Sequence, residues 1–284
     1  MGCLQNHCCV PNTRHHFDAN QKMYVSAAIP IREGEELTMI YSDVLWDTML
    51  RRQYLAKTKH FHCTCSRCSD RTEYGTLLGA LKCAGLQCDG ILLPNDPLDF
   101  NTSWTCNQCR LIISGRQIKS IQTGLGSIVQ EMTYENPKKV FKFLQKELPV
   151  LVPSSNYIAM DLKFRIVSYF GRVEGFSWKE LSKMELKFKL NYCKDLLTLL
   201  DTLGCGDCKK KGLIMYELYC TIMEERARDK ANLDIQNEST EIQSDLESST
   251  LLLQKAVQIL QNDITVPDDY NKEVESLQTK LSIL

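Results

Sequence analysis

The chain has 284 residues, 43% of them hydrophobic, enough for one large domain or two smaller ones with a sizeable core. Its 34 basic and 35 acidic side chains leave a formal net charge of −1, so no overall field draws it to DNA, RNA or an anionic membrane. No apolar run approaches the roughly eighteen residues of a membrane span and no secretory signal is visible, so the expected setting is soluble: cytoplasm, nucleus or both.

The start, Met1-Gly2-Cys3, superficially suggests lipidation, but myristoylation needs Ser or Thr where Asn6 stands. Next comes the run Asn6-His7-Cys8-Cys9-Val10-Pro11-Asn12. Met23-Tyr24-Val25 and Leu37-Thr38-Met39-Ile40-Tyr41 read as short strands, because β-branched and aromatic residues suit a pleated backbone. A turn at Arg32-Glu33-Gly34 separates them, with Gly34 free to take a positive φ. Val44 to Lys57 reads as a helix whose apolar positions only roughly follow a helical period. This first unit is expected over residues 1–58.

From 59 to 110, cysteine, glycine and proline displace regular structure, as expected where metal replaces a large core. The chain has fourteen cysteines, and in a reducing compartment these point to metal before disulfides. Cys63-X-Cys65-X2-Cys68 supplies three ligands from one turn, and Cys9, more than fifty residues earlier, supplies a fourth, a set suited to tetrahedral Zn²⁺. His60 and His62 are alternative ligands, and Cys8 is an adjacent thiol that competes with Cys9. Cys83-X4-Cys88 and Cys106-X2-Cys109 form a second set with zinc-ribbon-like spacing. Cys205-X2-Cys208 lacks a second pair and reads as free thiols in a loop between helices.

Beyond residue 111 the pattern is helical. Leu186, Leu190, Cys193, Leu197 and Leu200 make one apolar stripe that ends near Gly204, and Leu213, Tyr216, Cys220 and Met223 continue in a second helix. Residues 231–250 hold five acidic side chains and no Lys or Arg, which reads as a solvated mobile loop, followed by a helix around 251–261.

The run from Asn6 to Asn12 resembles the NHSCxPN segment of SET-domain protein-lysine methyltransferases. Gly34-Glu35-Glu36-Leu37 with Tyr41 resembles the segment carrying their catalytic tyrosine. Order and spacing are similar to the SMYD branch, which joins SET to MYND; the Leu93-Pro94 stretch and Trp104 resemble its arthropod members. The resemblance implies an α+β fold: the C-terminal portion of SET (1–58), a cysteine-rich zinc-binding post-SET region with a second zinc module (59–110), and an α-helical, TPR-like domain (111–284). It implies transfer of a methyl group from S-adenosylmethionine to a lysine on a protein substrate, histone or non-histone, with no direct binding of nucleic acid or membrane. Tyr41 would orient the amine, Asn6 and His7 would contact the cofactor, and Phe61 would stack on its adenine. Cys9, Cys63, Cys65 and Cys68 would pin the lid, and Cys83, Cys88, Cys106 and Cys109 would hold the second ion. Two departures stand out: Cys8 replaces a common Ser, and Lys59 stands where many relatives have Tyr. Relatives also carry a glycine-rich cofactor loop, earlier SET strands and MYND before this motif, whereas Met1 lies five residues ahead of Asn6, so a truncated form is expected. The competing expectation is a catalytically inactive, zinc-stabilised interaction scaffold, in which paired helices dock a partner.

Overall fold

A computed structural model describes residues 4–133, 135–232, 240–266 and 270. Four short strands open the chain: β1 (Asn6–His7), β2 (Thr13–Phe17), β3 (Met23–Ala27) and β4 (Thr38–Met39). β2 and β3 form an antiparallel hairpin registered Thr13 opposite Ala27, and β1 runs parallel to β4. Gly34 takes φ +81° in the expected turn. The strand expected over 37–41 is only two residues long, because side chains of the early motif take its backbone groups. The Thr38 N–H donates to Asn12 Oδ1 at 2.8 Å and the Tyr41 N–H to His7 Nδ1 at 3.0 Å.

Helix α1 spans Thr48–Lys59 rather than 44–57. Polar capping sets its start: the Asp47 carboxylate accepts from the Leu50 N–H at 2.8 Å, leaving Val44 and Leu45 to enter the core before the helix begins. His60, in the left-handed region, ends it. A single turn, α2 (Ser66–Ser69), follows. Four strands, β5 (Leu81–Lys82), β6 (Ile91–Pro94), β7 (Trp104–Cys106) and β8 (Ile112–Ile113), make an antiparallel meander in sequence order. The turns after β5 and after β7 therefore lie at the same end, which brings the two cysteine pairs of the second set together.

The remaining elements are α3 (Gly115–Thr133), α4 (Pro137–Lys146), α5 (Leu148–Leu151), α6 (Tyr157–Tyr169), α7 (Lys183–Thr202), α8 (Lys209–Asn232) and α9 (Thr240–Leu260). α6 packs on α7, α7 on α8 and α8 on α9. The predicted α7 stripe is the buried seam: Leu186, Cys193 and Leu200 are fully covered, with Leu190 and Leu197 half-buried beside them. A Ser182–Glu185 capping box starts α7, and Gly204, at φ +69°, lies just past its end. Residues 240–250, expected to be loop, are the first half of α9; the apolar positions Leu253, Ala256, Val257 and Leu260 anchor that helix, and propagation adds one bond per residue fixed. Residues 233–239 of that predicted loop, and 261 of the predicted helix, fall respectively outside the described residues and past the helix end. Among the described residues no helix is long and apolar enough to cross a membrane.

The helices are clasped to the first strands. The Asp207 N–H donates to Ala28 O at 2.9 Å, the Ile264 N–H to Phe17 O at 2.9 Å, and Arg14 Nη1 to Ile259 O at 2.7 Å. Gly206 sits where a Cβ would fall 2.2 Å from Ala28 O, so only glycine allows this approach.

Burial, reinforced by the Glu73 charge, pushes the Asp47 carboxyl up from 3.8 to about 7. The native state thus keeps a proton that the unfolded chain loses, and this group's contribution to stability falls as pH rises between those values. Asp47→Asn keeps a capping oxygen and removes the titration. Urea unfolding from pH 4 to 7 should show the native protein losing stability relative to the variant by about 1.4 kcal/mol per pH unit. A difference that does not change with pH would contradict the assignment.

Candidate functional site

The motif Cys9 lies just after β1, Cys63 and Cys65 follow the end of α1, and the short α2 turn, begun at Cys65, sets Cys68 three residues on along the same face. The four ligand atoms all lie within 4.8 Å of one another. Cys9 Sγ stands 3.9 Å from Cys63 Sγ and 3.5 Å from Cys68 Sγ, with Cys9 and Cys68 sealed from solvent. Mutual hydrogen bonds within the cluster pull the Cys65 thiol well below its usual range and push the Cys9 and Cys63 thiols up.

Positive charge is built in beside it. Arg51 and Arg67 are both 0% exposed. Arg51 Nε donates to Cys9 Sγ at 3.2 Å and Arg51 Nη2 lies 3.6 Å from Cys68 Sγ. Both guanidiniums share one carboxylate: Arg51 Nη1 at 2.6 Å and Arg67 Nε at 2.9 Å from Glu73 Oε2. The remaining donors go to Trp46 O, Thr48 Oγ1 and Cys9 O. Two buried cations facing one carboxylate leave a surplus positive charge, which thiolate sulfurs satisfy. A divalent ion with four thiolates carries a net charge of two minus, so donor set and surroundings both fit a metal–thiolate centre.

His7 connects this centre to Tyr41. Its Nδ1 accepts the Tyr41 N–H, so Nε2 carries the proton of the neutral ring, and Nε2 lies 3.3 Å from Cys9 Sγ. Burial lowers the His7 pKa to about 4, which keeps the ring neutral near pH 7. One imidazole thus ties the sulfur cluster to the backbone of Tyr41. The rings form a row, His7 to Tyr41 at 5.3 Å and His7 to Phe61 at 5.8 Å, against the sulfur cluster. The Tyr41 hydroxyl donates to the Gln5 carbonyl. Gln5 Oε1 is buried without a hydrogen-bond partner. Asn6 is exposed and its Nδ2 donates to Glu36 Oε1 at 2.6 Å.

The second group, Cys83, Cys88, Cys106 and Cys109, also has its sulfurs within 4.8 Å of one another. It is more exposed, with only Cys106 fully buried. Amide N–H groups two residues on cap three of the sulfurs: Gly85 to Cys83 at 3.3 Å, Gly90 to Cys88 at 3.4 Å and Gln108 to Cys106 at 3.4 Å. A Cβ on Gly90 would sit 2.5 Å from Cys106 Sγ, so the turn closes around the sulfurs only with glycine there.

Among the described residues, neither His60 nor His62 joins a cluster; His62 packs its ring 5.5 Å from Phe100. Cys8 hydrogen-bonds Cys65, which with burial pushes its thiol up, and the four-sulfur group contains Cys9 rather than Cys8. Cys205 and Cys208 are free, as expected; burial pushes the Cys205 thiol up to about 12. They line a cleft of about 530 Å³ with His15 and His16; Ile40 and Ser42, which flank Tyr41, line it too, while Tyr41, His7 and Phe61 do not. Sequence reasoning missed Arg51, Arg67 and Glu73. The available signal was Thr48, Arg51, Arg52 and Leu55, the buried face of α1 at i, i+3, i+4 and i+7, which carries two arginines.

Residues 2–42 match the SET domain family. The chain is 33% identical over 216 residues to the SET domain-containing protein SmydA-8, isoform B, of Drosophila melanogaster, covering 76% of this chain and 48% of that protein. It is 27% identical over 202 residues to the histone-lysine N-methyltransferase ASHR1 of Arabidopsis thaliana, 66% of this chain and 39% of that one. To the human histone-lysine N-methyltransferase SMYD1 it is 32% identical over 88 residues, 27% of this chain and 18% of the relative. The chain spans about half the length of the SmydA-8 relatives it matches. The resemblance to the SMYD branch is borne out.

Glu73→Gln leaves two buried guanidiniums beside the sulfurs without a carboxylate. Urea unfolding should show a loss of about 3 to 5 kcal/mol. A change below about 0.5 kcal/mol, the usual range for surface substitutions, would contradict a buried charge triad.

Proposed function

Taking this SMYD-type SET assignment as premise, we propose that the chain is part of an S-adenosylmethionine-dependent protein-lysine methyltransferase whose two cysteine clusters hold Zn²⁺. The observation that carries the reading is the join at His7, where a SET motif residue links the Cys9 cluster to Tyr41. The named activities of ASHR1 and SMYD1 support a protein lysine as substrate. Cytoplasm and nucleus, where thiols stay reduced, suit eight unpaired cysteine ligands.

The cofactor would supply a methyl group on a sulfonium, and this chain would position the acceptor. Tyr41 commits its proton to the Gln5 carbonyl, which leaves its oxygen lone pairs to accept an N–H from an incoming amine. His7, neutral near pH 7, fixes the Tyr41 backbone through Nδ1 and directs its one N–H, on Nε2, to Cys9 Sγ. Phe61, half-buried at the end of the ring row, offers a face on which a flat neutral base stacks, and the unpartnered Gln5 Oε1 offers an acceptor close in sequence to Asn6 and His7. Those groups fit a cofactor half-site. Zinc at Cys9, Cys63, Cys65 and Cys68 would organise this arrangement and take no part in the chemistry; at Cys83, Cys88, Cys106 and Cys109 it would close the β5–β8 ribbon.

Metal analysis of the purified chain should give two zinc ions; Cys65→Ser should remove one and Gly90→Ala should lower the other. No zinc in a folded preparation would refute the metal assignment. Equilibrium dialysis with labelled S-adenosylmethionine should show saturable binding, and Tyr41→Phe should bind equally but turn over at least about 100-fold more slowly in a form that methylates protein, the cost expected for a misplaced reactant. Retained zinc with no cofactor binding would favour the interaction scaffold.

A further inference from the structure

The last turn of α1 places a lysine amine beside the Tyr41 ring. Lys59 Nζ lies 5.6 Å from the centroid of the Tyr41 ring. Three other lysines over rings are held by carboxylates as well, Lys163 by Asp195, Lys189 by Glu217 and Lys210 by Asp43, whereas Lys22 over Tyr24 and Lys138 over Phe176 resemble Lys59 but lie away from the Tyr41 row. Lys59 makes no ion pair among the described residues and is exposed, so its ammonium rests on the ring alone. A cation over an exposed aromatic face gains only about 0.5 to 1 kcal/mol, which holds the side chain near Tyr41 without locking it there.

The backbone directs it to this spot. His60, at φ 61°, stops the helix immediately after Lys59, and the chain turns so that Phe61, two residues on, also packs its ring against His7. On the methyltransferase reading, on which this inference rests, the acceptor amine belongs at Tyr41 and the cofactor against Phe61.

We propose that Lys59 is a modification site: the chain's own methyl acceptor, methylated in cis by S-adenosylmethionine bound beside Tyr41. Lys59 first gives its ammonium proton to water. Its nitrogen lone pair then forms the N–CH₃ bond as the S–CH₃ bond breaks, and that electron pair returns to sulfur, converting the sulfonium into the neutral thioether S-adenosylhomocysteine. The site is tied to Tyr41 by geometry, so Lys57, two residues earlier and on a different side of the helix end, is not an acceptor.

The purified full chain is incubated with S-adenosylmethionine carrying an isotopically labelled methyl group and no other protein, and peptides are mapped by mass spectrometry; cofactor binding is measured on the same preparation. We expect labelled methyl at Lys59, at a fractional rate independent of chain concentration, abolished in Lys59→Arg and lowered at least tenfold in Tyr41→Phe. Cofactor binding without label at Lys59, label mainly on other lysines, or label unchanged in Tyr41→Phe would overturn this proposal and leave the methyltransferase reading standing. Absence of cofactor binding would overturn both.

Discussion

The structure around Tyr41 depends on one electrostatic constraint: two fully buried guanidiniums, Arg51 and Arg67, share a single carboxylate and must find further negative charge within hydrogen-bond reach. The sulfurs of Cys9 and Cys68 accept from Arg51 and, as thiolates on a metal, would provide it. Removing charged groups from water costs several kcal/mol for each, so this arrangement persists only when every donor is occupied. Occupying them draws together segments distant in sequence: the motif after β1, the buried face of α1, the α2 turn and the 70–76 turns. The cysteine cluster and the arginine–glutamate triad are thus one hydrogen-bonded unit.

Function follows from what that unit touches. Cys9 is two residues from His7, and the imidazole bridges sulfur on one side and the Tyr41 amide on the other. Asn12 does the same for Thr38, accepting its N–H while donating to Glu36 O at 2.8 Å. Side chains, not a long ladder, hold the Tyr41 segment in register. A strand of two residues pairs too little backbone to fix a position alone. Precision at Tyr41 is therefore borrowed from the sulfur cluster through a single ring.

Much of this was legible in the sequence because it was written in residue types with narrow chemistry. The cysteine spacings specified both four-sulfur groups, and the α7 stripe specified a buried helical seam. What escaped was set by competition between local and tertiary bonds. Leu37 to Tyr41 has strand composition, yet His7 and Asn12 took backbone groups that strand pairing would have used. Val44 and Leu45 resembled the start of a helix, but Asp47 supplied the cap that decides where one begins. Arg51 and Arg67 resembled ordinary surface charge; only the fold shows them facing Glu73 and sulfur. The acidic run at 240–250 resembled a loop because its helix is anchored by residues that follow it.

The central claim is that the sulfur cluster positions Tyr41 through His7. Hydrogen exchange at the Tyr41 amide, followed as a chelator withdraws metal from the folded chain, tests this directly. The Tyr41 amide should be protected with metal bound and lose that protection in step with release from the Cys9 cluster, ahead of global unfolding. Protection at Tyr41 that outlasts emptying of that cluster would contradict it.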